Sequence, residues 1–452
     1  MRFIRKTTIT ALLGASVIAG VNAVADETNT RLNDLDQKIR VVERKLEITE
    51  ENAATKARES AVLTAGPSGF ALSSADKSFD LKLRALIQAD ARFFANDDSK
   101  PQTDTFTLRR VRPTIEGTLG RSGEYRITPE LAGTSTSLLD AYGGYTFSPE
   151  LRLRIGKFKA PLGLERIQSG SDLRFIERAH PTSLAPNRDI GVQLSGDVAG
   201  ESISYAVGIF NGVPDGGSSV SDVSDEKDFV GRIFLSPFKN SDQNVLRGLS
   251  FGVAGSLGKE EGGVTATGLT SIRSPGQASV FSYITSTNAP DNAVADGSRT
   301  RLSPQFTYYY GSFGLLGEYI TSEQEVTLSE NSDSLINEAW QLAASYVLTG
   351  EDNSFRGINP KTPFDLTAGA WGALEVAARV SELTIDSDTF PTYADPKKSV
   401  ESIHSLALGL NWYLNRNLKS SITYEQSAFE GGDKDGDRED EHVLFARLQI
   451  SF

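Results

Sequence analysis

The chain has 452 residues, a formal net charge of −13, no cysteine, one methionine and three histidines. That composition excludes disulfides, thiolate nucleophiles and Cys-based zinc sites, and leaves little room for imidazole chemistry. Mean hydropathy is −0.27 and no apolar run approaches the roughly 20 residues a spanning helix needs, so a helical membrane protein is excluded too.

Arg2, Arg5 and Lys6 precede the apolar run ITALLGASVIAGV, and Ala23-Val24-Ala25 offers small residues for cleavage. This is the pattern of an export signal over 1–25, with a mature chain from Asp26. Its removal takes three cations and no carboxylate, changing the charge from −13 to −16. An exported chain without cysteine suits the bacterial envelope.

Over 26–60, Leu32, Leu35, Ile39, Val42, Leu46, Thr49 and Ala53 recur at alternating intervals of three and four among charged residues. This heptad seam predicts a short coiled coil joining copies of the chain; the competing reading is a lone amphipathic helix lying on another surface. Gly66, Pro67 and Gly69 then break the helix, and 61–78 reads as a linker.

The periodicity next changes to 2. In FDLKLRALIQADARFF the odd positions from Phe79 to Phe93 are apolar, and most of the even ones are charged or polar. Sixteen residues of such alternation exceed a usual soluble strand and match a tilted strand with one face in lipid and one in water. Similar runs recur near 105–119, 123–133, 138–148, 150–159, 190–199, 201–211, 227–236, 248–257, 301–310, 312–322, 335–349, 371–384, 402–415, 417–427 and 441–452. The predicted fold is therefore all-β, a transmembrane antiparallel β-barrel of about 16 strands over 79–452, with short turns alternating with long polar loops. The final run LFARLQISF, apolar at Leu444, Ala446, Leu448, Ile450 and Phe452, is the usual ending of such barrels.

Side-chain phase assigns charges to the lumen, because residues between lipid-facing positions must look inward. Inward-phased cations are Lys82, Arg84, Arg92, Arg110, Arg112, Arg126, Arg152, Arg154, Arg232, Lys419 and Arg447; inward carboxylates are Asp80, Asp90, Glu116, Glu124, Glu130, Asp140 and Glu425. Cations lead, and the acidic excess falls in predicted loops at 215–228, 385–395 and 431–441. GGDKDGDREDE has the alternating oxygens of a calcium loop, but Gly436 is out of register with that pattern, so a solvated acidic loop is the expectation.

The stretch KFKAPLGLERIQSGSDLRFIERAHPTSLAPNR (157–188) has no clear strand pattern and carries six Lys or Arg. A long structureless segment in a compact protein is usually functional or disordered. Folded inward over about 160–189, it would place Lys157, Lys159, Arg166, Arg174, Arg178 and Arg188 at a constriction; lying outside, it would pair them with Glu165, Asp172, Glu177 and Asp189. Spacing alone leaves both open.

FTLRRVRPTIEGTLG, LLDAYGGYTFSPELRLRIGKFKAPLGLE, DLRFIERAHPTSLAPNRDIGVQLSGD, YAVGIFNGVPDG, DFVGRIFLSPF and LGLNWYLN…LFARLQISF, in this order, resemble the phosphate-selective porin O/P family over about 79–452. The resemblance implies a homotrimer of 16-stranded barrels in the bacterial outer membrane, each with its own pore narrowed by the segment after the fifth strand. It further implies uptake of small anions, phosphate or polyphosphate in the best-known members, with the heptad stretch on the periplasmic side. Arg109 and Arg110 match the family's paired arginines, for which it suggests contact with the anion, and Asp140 matches a constriction carboxylate that orients a neighbouring cation. Arg112 departs from the pattern, since phosphate-selective members carry an aromatic there. Phase places Arg110 and Arg112 inward but Arg109 outward unless a bulge intervenes, and a bulge at Pro113 would accommodate both the phase change and the missing ladder donor.

The resulting expectation is an anion-preferring porin whose pore and anion-binding residues are Arg84, Arg109, Arg110, Arg112, Asp140, Arg152, Arg154, Lys157, Lys159, Arg166, Arg174 and Arg178. Expected partners are further copies of the chain, outer-membrane lipid and lipopolysaccharide, and small anions; no nucleic acid, cofactor or metal is expected. The runners-up are a general or carboxylate-preferring pore and a non-conducting envelope tether. His180, His404 and His442 lie in unlike contexts and no nucleophile or phosphate-cradling motif is present, so an enzyme is not expected.

Overall fold

The computed structural model describes residues 8–59, 61–95, 102–218, 225–263, 266–286 and 291–452, with side chains of the first helix from 26 to 52. The charged start of the expected export signal and residues 219–224 of the acidic loop lie outside them.

Thr8–Glu59 is one α-helix, α1, running through both the apolar stretch and the heptad region. Leu32, Leu35, Ile39, Val42 and Leu46 are each more than half exposed. The ion pairs Arg31–Glu27, Lys38–Asp34 and Arg40–Asp36 support its surface at i,i+4 spacing. The stretch 61–78 is more than a linker: Val62–Gly66 and Gly69–Ser73 are paired strands, with Gly69 at φ +93° beside the Pro67-Ser68 turn. Glycine alone takes that backbone conformation without strain.

The barrel has sixteen strands. They are β1 (Phe79–Ala95), β2 (Thr105–Leu119), β3 (Gly123–Glu130), β4 (Ser137–Ser148), β5 (Leu151–Phe158), β6 (Asp189–Val198), β7 (Ile203–Phe210) and β8 (Asp228–Leu235), followed by β9 (Leu249–Glu261), β10 (Val294–Tyr310), β11 (Phe313–Leu328), β12 (Asn331–Val347), β13 (Ala373–Thr384), β14 (Val400–Tyr413), β15 (Leu418–Asp433) and β16 (Glu441–Ser451). Each pairs antiparallel with the next, and β16 returns to β1 through pairs such as Ala446↔Ala91, closing the cylinder. Closure removes the open sheet edge that lipid cannot satisfy.

Period-2 alternation sets which side chains look out. On β1, Phe79, Leu81, Leu83, Ile87 and Phe93 are exposed on the outer face, whereas Gln88, Asp90 and Arg92 are buried. Strands β10 to β12 extend beyond the ranges that alternation marks, to 16 or 17 residues, while β3, β5, β7 and β8 have eight. The extensions are polar, as in ADGSR and NSDS. Their ladders continue above the apolar band, where hydrophobic periodicity carries no signal.

The bulge lies at Arg109 rather than at Pro113. Gln88 faces Arg110 but Ala89 faces Leu108, so Arg109 is the extra residue and turns inward beside Arg110. Pro113 pairs with Ala85 in regular register on one side. On the other, the β2–β3 ladder stops at Ile115↔Ile127, so the N–H that proline lacks is not needed there. Beyond that point the Glu130 carboxylate accepts the Val111 N–H at 2.8 Å.

The segment between β5 and β6 occupies the interior. Ala160, Leu162, Leu164, Leu173, Phe175, Ile176, Leu184 and Ala185 are all at most 3% exposed, and two short helices, α2 (Leu164–Ile167) and α3 (Pro181–Leu184), fold within it. Inward-facing alanines make room: Phe175 packs on Ala343, Ala377 and Ala407 from three strands, with the Arg379 guanidinium 4.4 Å over its ring. Ile176 packs on Val443 and Phe445, two apolar side chains on the inner face of β16 that a water-filled lumen would not favour.

Candidate functional site: cations around the internal segment

The internal segment is tied to the far wall by polar contacts that use up several of its own charges. Arg174 donates to Ser345 at 2.9 Å, Glu375 at 3.0 Å and the Ser354 carbonyl at 2.7 Å. The Glu318 carboxylate accepts the N–H groups of Leu164 and Glu165 at the first turn of α2. Lys419 donates to the Leu173 carbonyl at 2.6 Å, and Arg379 to that of Glu177 at 3.0 Å. Glu177 receives both Nε and Nη2 of Arg109, at 2.7 and 3.0 Å, and Arg92 at 3.3 Å. Burial would raise the Glu177 carboxyl, but Arg109 holds it down to about 2. The bidentate geometry is available because the bulge presents Arg109 to the interior.

Arg110 is buried and donates to Gln88 at 2.6 Å; Gln88 in turn donates to the Gly170 carbonyl at 3.0 Å, clamping the tip of the segment to β1 and β2. His180 lies 2.8 Å from the Ser405 hydroxyl, and burial, with Arg379 second, pushes it down to about 3, so it is neutral near pH 7.

Between this segment and the wall of β1 to β8 lies a cavity of about 420 Å³. Seven basic side chains line it (Arg84, Arg112, Arg126, Arg154, Lys159, Arg188 and Arg232) against two acidic ones, Glu116 and Asp140. Carboxylates position most of the basic groups: Glu116 takes Arg84 and Arg126, Glu130 takes Arg112 at 2.6 Å, Glu124 takes Arg154 at 2.9 Å and Asp140 takes Arg188 at 3.3 Å. Arg154 also lies 4.3 Å over the Tyr142 ring and Arg232 4.4 Å over Phe234, which fixes their long side chains.

Lys159 has no carboxylate partner among the described residues. It donates to the carbonyls of Ile167 and Gln168, at 3.3 and 2.7 Å, and Arg178 donates to the same Gln168 carbonyl at 2.6 Å. Burial first, then the guanidinium groups of Arg178, Arg188 and Arg166, push the Lys159 ammonium well below its ordinary 10.5.

Of the twelve residues picked from sequence, Arg84, Arg112, Asp140, Arg154 and Lys159 meet at the cavity. Arg109, Arg110, Arg166, Arg174 and Arg178 are taken up in holding the segment: Arg166 binds the Thr182 carbonyl and Arg178 that of Glu165. Arg152 pairs with Asp197 at 2.8 Å, and Lys157 is buried without a carboxylate partner among the described residues. Arg126, Arg188 and Arg232 join the cavity as well. Inward phase marks Arg126 and Arg232, and Arg188 ends the basic segment, but spacing does not tell which inward cations converge.

Residues 79–452 match the sequence profile of the family described as phosphate-selective porin O and P. Porin O of Pseudomonas aeruginosa is 24% identical over 420 residues, covering 85% of this chain and 91% of that protein. Among solved structures, the outer membrane channel DcaP of Acinetobacter baumannii superposes with a TM-score of 0.53 at 11% identity, covering 83% of this chain and 98% of that one. The trimer form of OmpT from Vibrio cholerae gives 0.51 at 10%, and an anion-selective porin from Comamonas acidovorans 0.50 at 10%, each covering 83% of this chain and all of the other. At these identities the structures share the fold.

Proposed function

The chain belongs to the phosphate-selective porin O and P family and is a porin of the bacterial outer membrane, and from that premise we propose that it passes small anions, phosphate among them, by diffusion along the cationic cavity. The observation that carries this reading is the local excess of seven basic side chains lining the cavity over the four carboxylates that line it or pair with them, Glu116, Glu124, Glu130 and Asp140, inside a protein whose formal charge is −13.

An anion entering a narrow passage loses hydration, and fixed donors must offset that cost without trapping the ion. Arginines already held by a carboxylate suit the task. Arg112 gives its Nε to Glu130, which leaves its terminal N–H groups for a passing oxyanion, and the pairing spares the ion the entropic cost of ordering the side chain. Low-dielectric walls focus the field of such a row. The internal segment, about 160–189, supplies the constriction, and Lys159, held by the Ile167 and Gln168 carbonyls, a fixed donor beside it.

Three copies with separate pores are the assembly we favour, supported by the trimer form of the OmpT relative in fold. In that assembly the heptads of α1, after loss of the 1–25 signal, join beneath the membrane. The phosphate preference is tested by adding phosphate to one side of a planar bilayer carrying chloride current. Block that saturates with phosphate supports it, and chloride current indifferent to phosphate favours the broader pore that Arg112 would suit.

A further inference from the structure

The seam of the barrel carries an additional strand that lies outside the cationic cavity's basic lining. The ladder of β16 on β1 runs down to Phe452, whose N–H and C=O exchange hydrogen bonds with Ala85 at 3.1 and 3.0 Å. β1 continues six residues past that point, from Arg84 back to Phe79. On its other side these residues stay paired with β2, from Arg84↔Thr114 to Phe79↔Leu119. Because Ala85 directs both its backbone groups to the β16 side, alternation directs those of Leu83, Leu81 and Phe79 to the same side. That is an open sheet edge unless something covers it.

The strand Gly69–Ser73 pairs with β1 and takes over the edge. Gly69 lies so close that a Cβ would stand 2.3 Å from the Leu83 carbonyl oxygen and 3.4 Å from the carbonyl carbon of Phe452. The Phe70 ring meets the Phe452 ring edge-on at 6.0 Å. Asn417, in the turn before β15, donates to the Pro67 carbonyl and to that of Ser451, both at 2.6 Å, and so bridges the hairpin to the last strand.

We infer that the lower edge of β1, Phe79–Arg84, is a strand-addition site, and that the hairpin Leu63–Leu72 fills it in cis and locks the seam. The partner it fits is an extended, main-chain-pairing segment with glycine where it crosses Leu83. Held by a short connection, the hairpin has an effective concentration on the order of millimolar, which excludes a competing strand from another chain.

The test uses the full-length protein in detergent micelles and two variants: Gly69→Val, which must clash with Leu83 and adopt a positive φ, and a deletion of 63–72. Hydrogen exchange is read at the Leu81 and Leu83 amides, and binding of a labelled synthetic peptide GPSGFALS is measured, with heat-shifted gel mobility reporting a folded barrel. The expected result is slow exchange and no peptide binding in the wild type, with exchange at least tenfold faster and saturable peptide binding in both variants. Unchanged exchange at Leu81 and Leu83 in the folded deletion variant overturns the inference. Fast exchange without peptide binding in that variant also overturns it, because the exposed edge would then not accept a strand.

Discussion

Replacing Phe175 with alanine separates the internal segment from its wall without changing any charge. The ring is 3% exposed, seated among Ala343, Ala377 and Ala407 and capped by Arg379 at 4.4 Å. Truncating a buried Phe costs about 3–5 kcal/mol, and the alanine recess cannot collapse to fill the void because it is built on strands of a closed ladder. At 1.4 kcal/mol per tenfold, even the lower figure changes the balance between seated and unseated segment by about 10². Arg174, the Glu318 contacts and Lys419 still hold neighbouring residues, so the change loosens the middle of the segment rather than releasing it. Single-channel recording on Phe175→Ala should show larger, noisier openings with weaker anion preference, while the volume-conserving Phe175→Leu stays near the wild type. Equal conductance and selectivity in Phe175→Ala and wild type, with the barrel folded, would refute the assignment of the constriction to this segment.

Arg112→Ala should reduce the anion-to-cation permeability ratio more than Arg152→Ala, whose side chain pairs with Asp197 and does not line the cavity; equal losses would remove the cavity from the pathway. Raising the pH should weaken anion preference, because burial and neighbouring guanidinium groups lower the Lys159 ammonium, which therefore loses its proton before an ordinary lysine does. Lys159→Arg should flatten this alkaline decline, since guanidinium does not titrate in that range; an identical decline in the variant would assign the titration elsewhere. Leu35→Asp combined with Val42→Asp should lower the proportion of trimer in chemical cross-linking if the exposed seam of α1 joins copies, and an unchanged proportion would confine assembly to the barrel.

The barrel was legible in the sequence because lipid on one side and water on the other impose a strict period on every strand, from Phe79 to Phe93 on β1 to Leu444 to Ile450 on β16. The polar tops of β10 to β12 were not, since nothing apolar faces out there. Residue phase put the inward cations of β1 on the lumen side and made Arg109 inward only if a bulge intervened; the bulge exists, but at Arg109 and not at Pro113, because a one-residue bulge changes phase without marking its own position in composition. The site was less legible than the wall that holds it. Arg174 and Arg178 have the same chemistry as Arg112, and only contacts between residues far apart in the chain decide that the former bind Glu375 and the Glu165 carbonyl while the latter faces the cavity. The hairpin at 62–73 was hidden by the Gly-Pro-Ser-Gly turn that made the stretch read as a linker.

The claim that basic side chains of the cavity set ion preference is tested most directly by the reversal potential of the purified protein in a planar bilayer across a KCl gradient. A cationic cavity should displace the potential toward the chloride equilibrium value. A potential displaced toward that of potassium would contradict it.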